Sequence, residues 1–513
     1  GGGTRIGGGE LTQTVPDGGS AVAPTVTRSG YTFTGWDKTF TNITQNLIVT
    51  AAWSYNSNGG GGGNGGGTGG GSGSSSDDSS NNIIVIPPAQ DKPNTPTQAE
   101  IKLDGKVDTS GNLTVAITDK NITDSINKAI AEAKKNGNEA NGVTLVLNVS
   151  TGGKTVNNVI VTLQKTVQNT IIRKKIMNTI VVMDNPHIKI DMDLSTIREI
   201  NKQANADVNI IVKHIDNSKL TGNAKAIISN RPVFDFKVNY GSGKVVQNFG
   251  VGSVSVTIPY TLGANEKAGN VQAVYVDASG EVQWLISSVY DSVNKVLSFN
   301  TNHFFTYGVG YKQDVHEFTD INNHWAKDDI QFVVNHGLFS GTSTTTFSPN
   351  TAMTRGMFVT ALGRLANADV SAYKQSGFTD VKSDTYYTEH IEWANKNNII
   401  KGISDDKFAP DQSITREQMA VIMSNYAKTI GFTFPKIYAE STFTDNDKIS
   451  AYANAAVKQM QMAGIISGKS GNIFDPQSAT TRAEVSAVLR RFMELAISSD
   501  IAGLSDERLW QME

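Results

Sequence analysis

The chain has 513 residues, with 45 Lys plus Arg against 48 Asp plus Glu and a net charge of −3. That length exceeds one ordinary domain, and the charge balance carries no basic footprint for a nucleic-acid partner. The absence of cysteine excludes disulfides, thiolate metal sites and cysteine nucleophiles together, and is compatible with a bacterial exported protein stabilised by core packing alone.

The opening GGGTRIGGG has no Met, no basic segment and no apolar core, so we expect no signal peptide. If the protein is exported, this chain is then a mature form or a fragment. No apolar run reaches the roughly 18 residues of a membrane helix. Residues 10–53 alternate aromatic, β-branched and polar side chains in GYTFTGWDKTFTNITQNLIVTAAW, the pattern of short strands joined by turns. This stretch resembles the Listeria–Bacteroides (internalin B-type) repeat, most specifically from Gly30 through Tyr31 and Phe33 to Trp36 and at the closing Trp53. The resemblance implies a small β-grasp-like module of bacterial surface proteins, partial here over residues 1–53, because GGGTRIGGGELTQTV replaces the family's first strand. We read Trp36 and Trp53 as core residues.

Residues 54–98 are rich in Gly, Ser and Asn, then Asp and Pro. Such a segment cannot bury enough apolar area to order itself, and reads as a flexible linker with an r.m.s. span of ~35–40 Å. Pro87, Pro88, Pro93 and Pro96 stiffen its far end.

Residues 99–311 contain many runs of strand composition, among them GVTLVLNV, TIVVM, HIKIDMDL, VNIIVKHI and SVSVTIPY, separated by Gly, Asn or Asp turns. Helices are predicted over 124–135, where Ile126, Ala129, Ile130 and Ala133 share a face, and near 195–204. The expectation is a β-rich, sandwich-like α+β region in one or two subdomains. Asp191 and Asp193 are its best candidate for a catalytic carboxylate pair, but they alternate with Ile188, Ile190 and Met192, so we read a half-buried strand with a solvated charged face. His214 and His303 lack partners at ligand or triad spacing. No GxSxG, HExxH or phosphate-binding loop is present. We therefore expect no catalytic residue, no metal and no cofactor: a binding module and not an enzyme. The end of this region, from VSVTIPY to YGVGYK, resembles a β-domain often found beside surface-layer homology modules, which implies a spacer or surface domain.

A triple repeat occupies about 315–495. From the aromatics Trp325, Tyr386 and Tyr452, an aliphatic follows at five residues (Ile330, Ile391, Val457) and Gly341, Gly402 and Gly468 at sixteen. Phe347, Phe408 and Phe474 follow at twenty-two, each opening a Phe-x-Pro turn, and Arg355, Arg416 and Arg482 at thirty. Each copy begins Phe-Thr-Asp, ending in Asp320, Asp380 and Asp445. The spacing predicts a helix, a loop and a second helix per copy, the latter N-capped by Thr354, Thr415 and Thr481. Thr415 with Gln418 and Thr481 with Glu484 complete capping boxes, and Thr354 with Met357 does not. An arginine directly after each cap faces the positive end of the helix dipole, at a cost of roughly 0.3–1 kcal/mol.

These residues are similar to the surface-layer homology (SLH) family, in its triplet arrangement, with repeats at 312–370, 371–435 and 436–497 and a tail at 498–513. The resemblance implies an all-α SLH trimer: a pseudo-threefold helical bundle whose grooves bind a secondary cell-wall polysaccharide, often pyruvylated, of Gram-positive bacteria. It places ligand contacts on Arg355, Arg416, Arg482, Asp320, Asp380, Asp445, Trp325, Tyr386, Tyr452, Gly341, Gly402, Gly468 and Glu484. The competing reading makes the arginines solvated or structural, paired with the three aspartates. The Thr-Arg-Ala-Glu motif is intact only at Thr481–Glu484, so non-equivalent grooves are expected. The whole reads as an extracellular bacterial protein held in the cell wall or S-layer, with other surface proteins as further partners. The alternatives are a lattice or adhesin protein, or an anchored polysaccharide- or peptidoglycan-acting enzyme with its activity in 99–311.

Overall fold

Strict alternation builds the middle of the chain. In His187–Asp193, Ile188, Ile190 and Met192 are buried and the residues between them reach solvent, so the strand offers one face to a core. The computed structural model describes residues 96–497 apart from 118, 155 and 314–316, the strand Ile83–Ile86, and short segments between 4 and 55. The chain divides into two units, Gly1–Asp78 and Ser79–Glu513.

In the first unit, Thr4–Gly8 pairs antiparallel with Pro24–Thr27, and Tyr31–Trp36 with Ala51–Tyr55. Trp36 meets Phe33 and Phe40 edge-on, with ring centroids 5.3 and 5.5 Å apart. The side chain of Trp53, most of the linker and the tail at 498–513 lie outside the described residues. At the end of the stretch read as linker, Ile83–Ile86 is a strand paired antiparallel with Thr97–Asp104.

In the second unit, residues 97–311 form two sheets. One runs Val282–Trp284, Val271–Val276, Thr306–Tyr311, Val233–Tyr240, Val208–His214, Asn158–Leu163, Asn112–Ile117, Lys106–Val107. The other runs Ser288–Asp291, Val296–Thr301, Val254–Pro259, His187–Asp193, Asn178–Asp184, Val143–Ser150, Thr97–Asp104, Ile83–Ile86. Val143–Ser150 lies parallel to both Thr97–Asp104 and Asn178–Asp184, a pairing that needs crossover connections. Helices α1 (Asp119–Lys135), α2 (Lys165–Arg173), α3 (Leu194–Ala204) and α4 (Ala224–Ile228) belong to this region. Leu145, Val181, Ile190 and Val256 of one sheet share a core with Val161, Ile210, Phe236 and Tyr307 of the other, and Leu220, Ala224, Ile228, Val233, Val274 and Val276 form a smaller cluster apart from it.

The repeat region is helical: α5 (Lys327–Asn335), α6 (Arg355–Leu365), α7 (Thr388–Lys396), α8 (Arg416–Thr429), α9 (Asn454–Met462) and α10 (Arg482–Ile497). The second helices carry their caps as the sequence predicts. Thr354 accepts from the Met357 N–H, and reciprocal capping boxes form at Thr415–Gln418 and Thr481–Glu484.

The sheets join the first repeat through polar and apolar contacts. Lys312 Nζ donates to the Asn335 carbonyl at 2.7 Å, and Val289 sits in the apolar core of the repeats. The His336 ring stacks on Phe332 with centroids 3.9 Å apart, and its Nδ1 and Nε2 lie 2.8 and 2.9 Å from the carbonyl oxygens of Phe332 and Ser288. Burial pushes its pKa down to about 4, prevailing over the two carbonyl acceptors that favour the protonated ring, with the nearby Lys312 and Arg490 charges acting in the same direction as burial. In the unfolded chain a histidine titrates near ~6.5. The folded state therefore resists protonation, and its stability is intact above pH ~6.5 and falls by about 3 kcal/mol as the pH drops towards 4. Urea titrations at pH 7 and 4.5 check this: His336→Gln should flatten that slope, and an unchanged slope would refute the assignment.

Candidate functional site

Each Phe-x-Pro turn needs a residue in left-handed backbone: Ser348 (φ 59°), Ala409 (58°) and Asp475 (58°). That conformation costs an L-residue roughly 1–2 kcal/mol, so something must hold it. The Phe-Thr-Asp carboxylates do. Asp320 accepts from the N–H groups of Phe347 and Ser348 at 2.9 and 2.7 Å. Asp380 accepts from Phe408 and Ala409 at 2.9 and 2.7 Å, and Asp445 from Phe474 and Asp475, both at 2.8 Å. Burial opposes the Asp380 charge, but these N–H donors prevail and hold its carboxyl below the usual range.

The fixed turn presents a carbonyl and an aromatic face to the arginine of another repeat. Arg355 Nε donates to the Phe408 carbonyl at 2.9 Å, Arg416 Nε to that of Phe474 at 2.7 Å, and Arg482 Nε to that of Phe347 at 2.9 Å. A second guanidinium nitrogen reaches the carbonyl just before the repeat glycine, on Lys401, Ser467 and Ser340 respectively. Each guanidinium lies over the ring of the same phenylalanine, 4.4, 5.1 and 4.3 Å from its centroid. All three arginines are buried. The dipole cost expected from the sequence is thereby offset, because each cation extends away from its own helix onto the negative ends of two carbonyl dipoles. The aspartates fix those same turns instead of pairing directly with the arginines.

The contacts run from repeat one to two, two to three and three to one. A backbone triangle closes the same ring at the helix entrances, with its donors running in the opposite order. Met353 N donates to the Thr480 carbonyl, Thr480 N to that of Ile414, and Ile414 N to that of Met353, at 2.8, 2.9 and 2.9 Å.

The other candidate positions divide in two. Gly341, Gly402 and Gly468 admit no Cβ without pressing on their own loops, at Ser343 O, Ser404 O and Asn472. Glu484 pairs with Arg416 at 2.7 Å and closes the Thr481 capping box. Trp325, Tyr386 and Tyr452, by contrast, are 40%, 57% and 60% exposed. The structure thus brings the arginines, aspartates and glycines together at the inter-repeat junctions, and leaves the aromatics on the surface beside them.

In the middle region, Asp193 caps α3 through the Thr196 N–H at 2.7 Å, and Asp191 accepts from Asn178. His303 Nδ1 lies 2.9 Å from the Tyr307 hydroxyl, and His214 meets the edge of Phe234. One buried charge at the second junction escaped the sequence reading. Glu417 accepts from Ser450, Tyr452 and Gln477, and its only sequence signal was the departure from Thr-Arg-Ala-Glu in the second copy.

Residues 317–356, 377–420 and 442–486 match the S-layer homology domain. An amylopullulanase of Thermoanaerobacterium thermosulfurigenes is 31% identical over 344 residues, covering 64% of this chain and 17% of that protein. Exoglucanase XynX of Acetivibrio thermocellus is 34% identical over 178 residues, 34% of this chain and 16% of that protein. The Surface-layer 125 kDa protein of Lysinibacillus sphaericus is 27% identical over 187 residues, 35% of this chain and 15% of that protein. The chain thus spans under a fifth of each of these relatives. The expectation that the protein is not an enzyme is overturned by the first two, which are named as enzymes, an amylopullulanase and an exoglucanase. The domain match and the surface-layer relative give a cell-surface or cell-wall location, and no helix among the described residues is long and apolar enough to cross a membrane.

Proposed function

We propose that residues 317–486 hold the protein noncovalently to the cell wall by binding a secondary, pyruvylated wall polysaccharide, and that the anchored protein acts on polysaccharide outside the cell. The observation that carries the first part is the set of exposed aromatics Trp325, Tyr386 and Tyr452, repeated at one offset beside arginine-clamped junctions. Exposed rings offer flat apolar faces to sugars, and the junction beside each ring frames the place where a sugar of the polymer would lie. In this reading the arginines, aspartates and glycines shape the grooves that the aromatics line. The cyclic order of the arginine contacts and the backbone triangle support a pseudo-threefold bundle. The enzyme part is supported by the amylopullulanase and exoglucanase relatives. Residues 1–53 serve as a partial Listeria–Bacteroides-type, β-grasp-like display module, and 99–311, which joins it to the anchor, as the part that holds the activity.

Co-sedimentation with purified cell-wall sacculi tests the anchor. The chain should pellet with sacculi and stay soluble with sacculi stripped of their secondary polymer. Trp325→Ala should weaken binding about tenfold, ~1.4 kcal/mol, with its melting temperature unchanged. Equal pelleting with stripped sacculi would refute the wall-polymer ligand. Protein released from walls should clear starch, cellulose or xylan in a gel overlay, and clearing of none would refute the enzyme part.

A further inference from the structure

The three junctions differ at the residue that follows each arginine: Gly356, Glu417 and Ala483. Their backbone places them alike, since each N–H donates to the carbonyl of the turn proline in the facing repeat, Pro410, Pro476 and Pro349. Only the second copy carries a side chain that can cross the groove, and it does. Glu417 Oε1 accepts from the Tyr452 hydroxyl at 2.7 Å, from Gln477 Nε2 at 2.8 Å and from Ser450 Oγ at 2.9 Å; Oε2 accepts from the Ser450 N–H at 3.0 Å. Four donors of the third repeat thus converge on one carboxylate, in a residue 2% exposed. Those donors hold the carboxyl below its usual range although burial opposes the charge, so Glu417 is an anion at neutral pH.

We propose that Glu417 is a built-in anionic occupant of the groove between the second and third repeats, and that this groove is closed to the acidic sugars of the wall. The proposal rests on the wall-polysaccharide reading above. A carboxylate-bearing sugar would need the donors that Glu417 already saturates, and would meet a like charge there. The groove facing Gly356 is unfavourable to an anion for a different reason. The positions equivalent to Ser450 and Gln477 are Asp384 and Asp411, both exposed carboxylates flanking Tyr386. At the groove facing Ala483 the same positions are the neutral Asn323 and Asn350, beside the exposed Trp325. There His324 Nδ1 accepts from the Ala326 N–H, which leaves Nε2–H to donate to Asn350 at 3.1 Å. The groove between the third and first repeats is therefore the one that takes the acidic sugar.

Isothermal titration of the full chain with a methyl glycoside that carries a pyruvate ketal tests this. The wild type should bind one equivalent. Glu417→Ala should bind two, because the freed donors and the vacated space accept the sugar carboxylate. Ala483→Glu, which carries the plug into the remaining groove, should bind none while keeping its melting transition. A wild-type stoichiometry of two or three, or one equivalent bound by Glu417→Ala, overturns the proposal and leaves the anchoring reading intact. Absence of binding to the wild type, by the glycoside and by untreated sacculi, overturns both. If Glu417→Ala melts early, recovery of its melting temperature by the glycoside supports the open groove, and no recovery counts against it.

Discussion

Arg482→Ala is expected to lower the unfolding free energy by about 3–5 kcal/mol, read as a shift of the urea midpoint at pH 7. The guanidinium donates to two carbonyls of the first repeat, on Phe347 and Ser340, and covers the Phe347 ring. Hydrogen bonds from a charged donor contribute roughly 1.5–3 kcal/mol each, and stranding a buried carbonyl adds its desolvation cost. Arg482→Lys should recover less than half of the loss, because an ammonium cannot span two carbonyls and stack on the ring at once. A midpoint change equivalent to less than about 0.5 kcal/mol, the ordinary range for surface substitutions, would refute the clamp. It follows that replacing all three arginines tests the integrity of the repeat region before it tests ligand binding; the exposed aromatics are the cleaner probes.

Asp445→Ala should cost about 3 kcal/mol. It removes the acceptor of two backbone N–H groups at 2.8 Å and releases a turn in which Asp475 sits at φ 58°. The two contributions can be separated. Adding Asp475→Gly to Asp445→Ala relieves the left-handed strain and should return roughly 1 kcal/mol, whereas the lost hydrogen bonds stay lost. Differential scanning calorimetry of the pair checks both parts. If the glycine returns nothing, the aspartate does not hold the turn through its backbone conformation.

The repeat was legible because one spacing recurs three times, and with it the helix caps at Thr354, Thr415 and Thr481. Alternation in His187–Asp193 likewise gave away the strand and ruled the Asp191–Asp193 pair a surface feature, and the apolar face of α1 was visible at Ile126 and Ala129. What spacing within a copy cannot show is a contact between copies. Arg355 and Phe408 stand 53 residues apart, and Arg482 and Phe347 stand 135 apart, so the clamps were hidden behind a sound local argument about the helix dipole. Helix α2 escaped because Val167, Thr170 and Ile171, three of its four buried residues, are β-branched and read equally as strand. Parallel pairing of Val143–Ser150 on both sides is set by crossovers, and no local pattern records it.

The triangle of Met353, Ile414 and Thr480 has a bearing on how many copies such a region can hold. In an open stack of repeats each unit touches only its neighbours, and units can be lost or gained at either end with a proportionate change in stability. Here the last unit closes on the first, so no unit is terminal. Deleting any one breaks two junctions at once and strands the donors and carbonyls that faced it. Unfolding is then all-or-none across the region, and copy number is locked: duplication or loss of a single unit leaves a ring that cannot close.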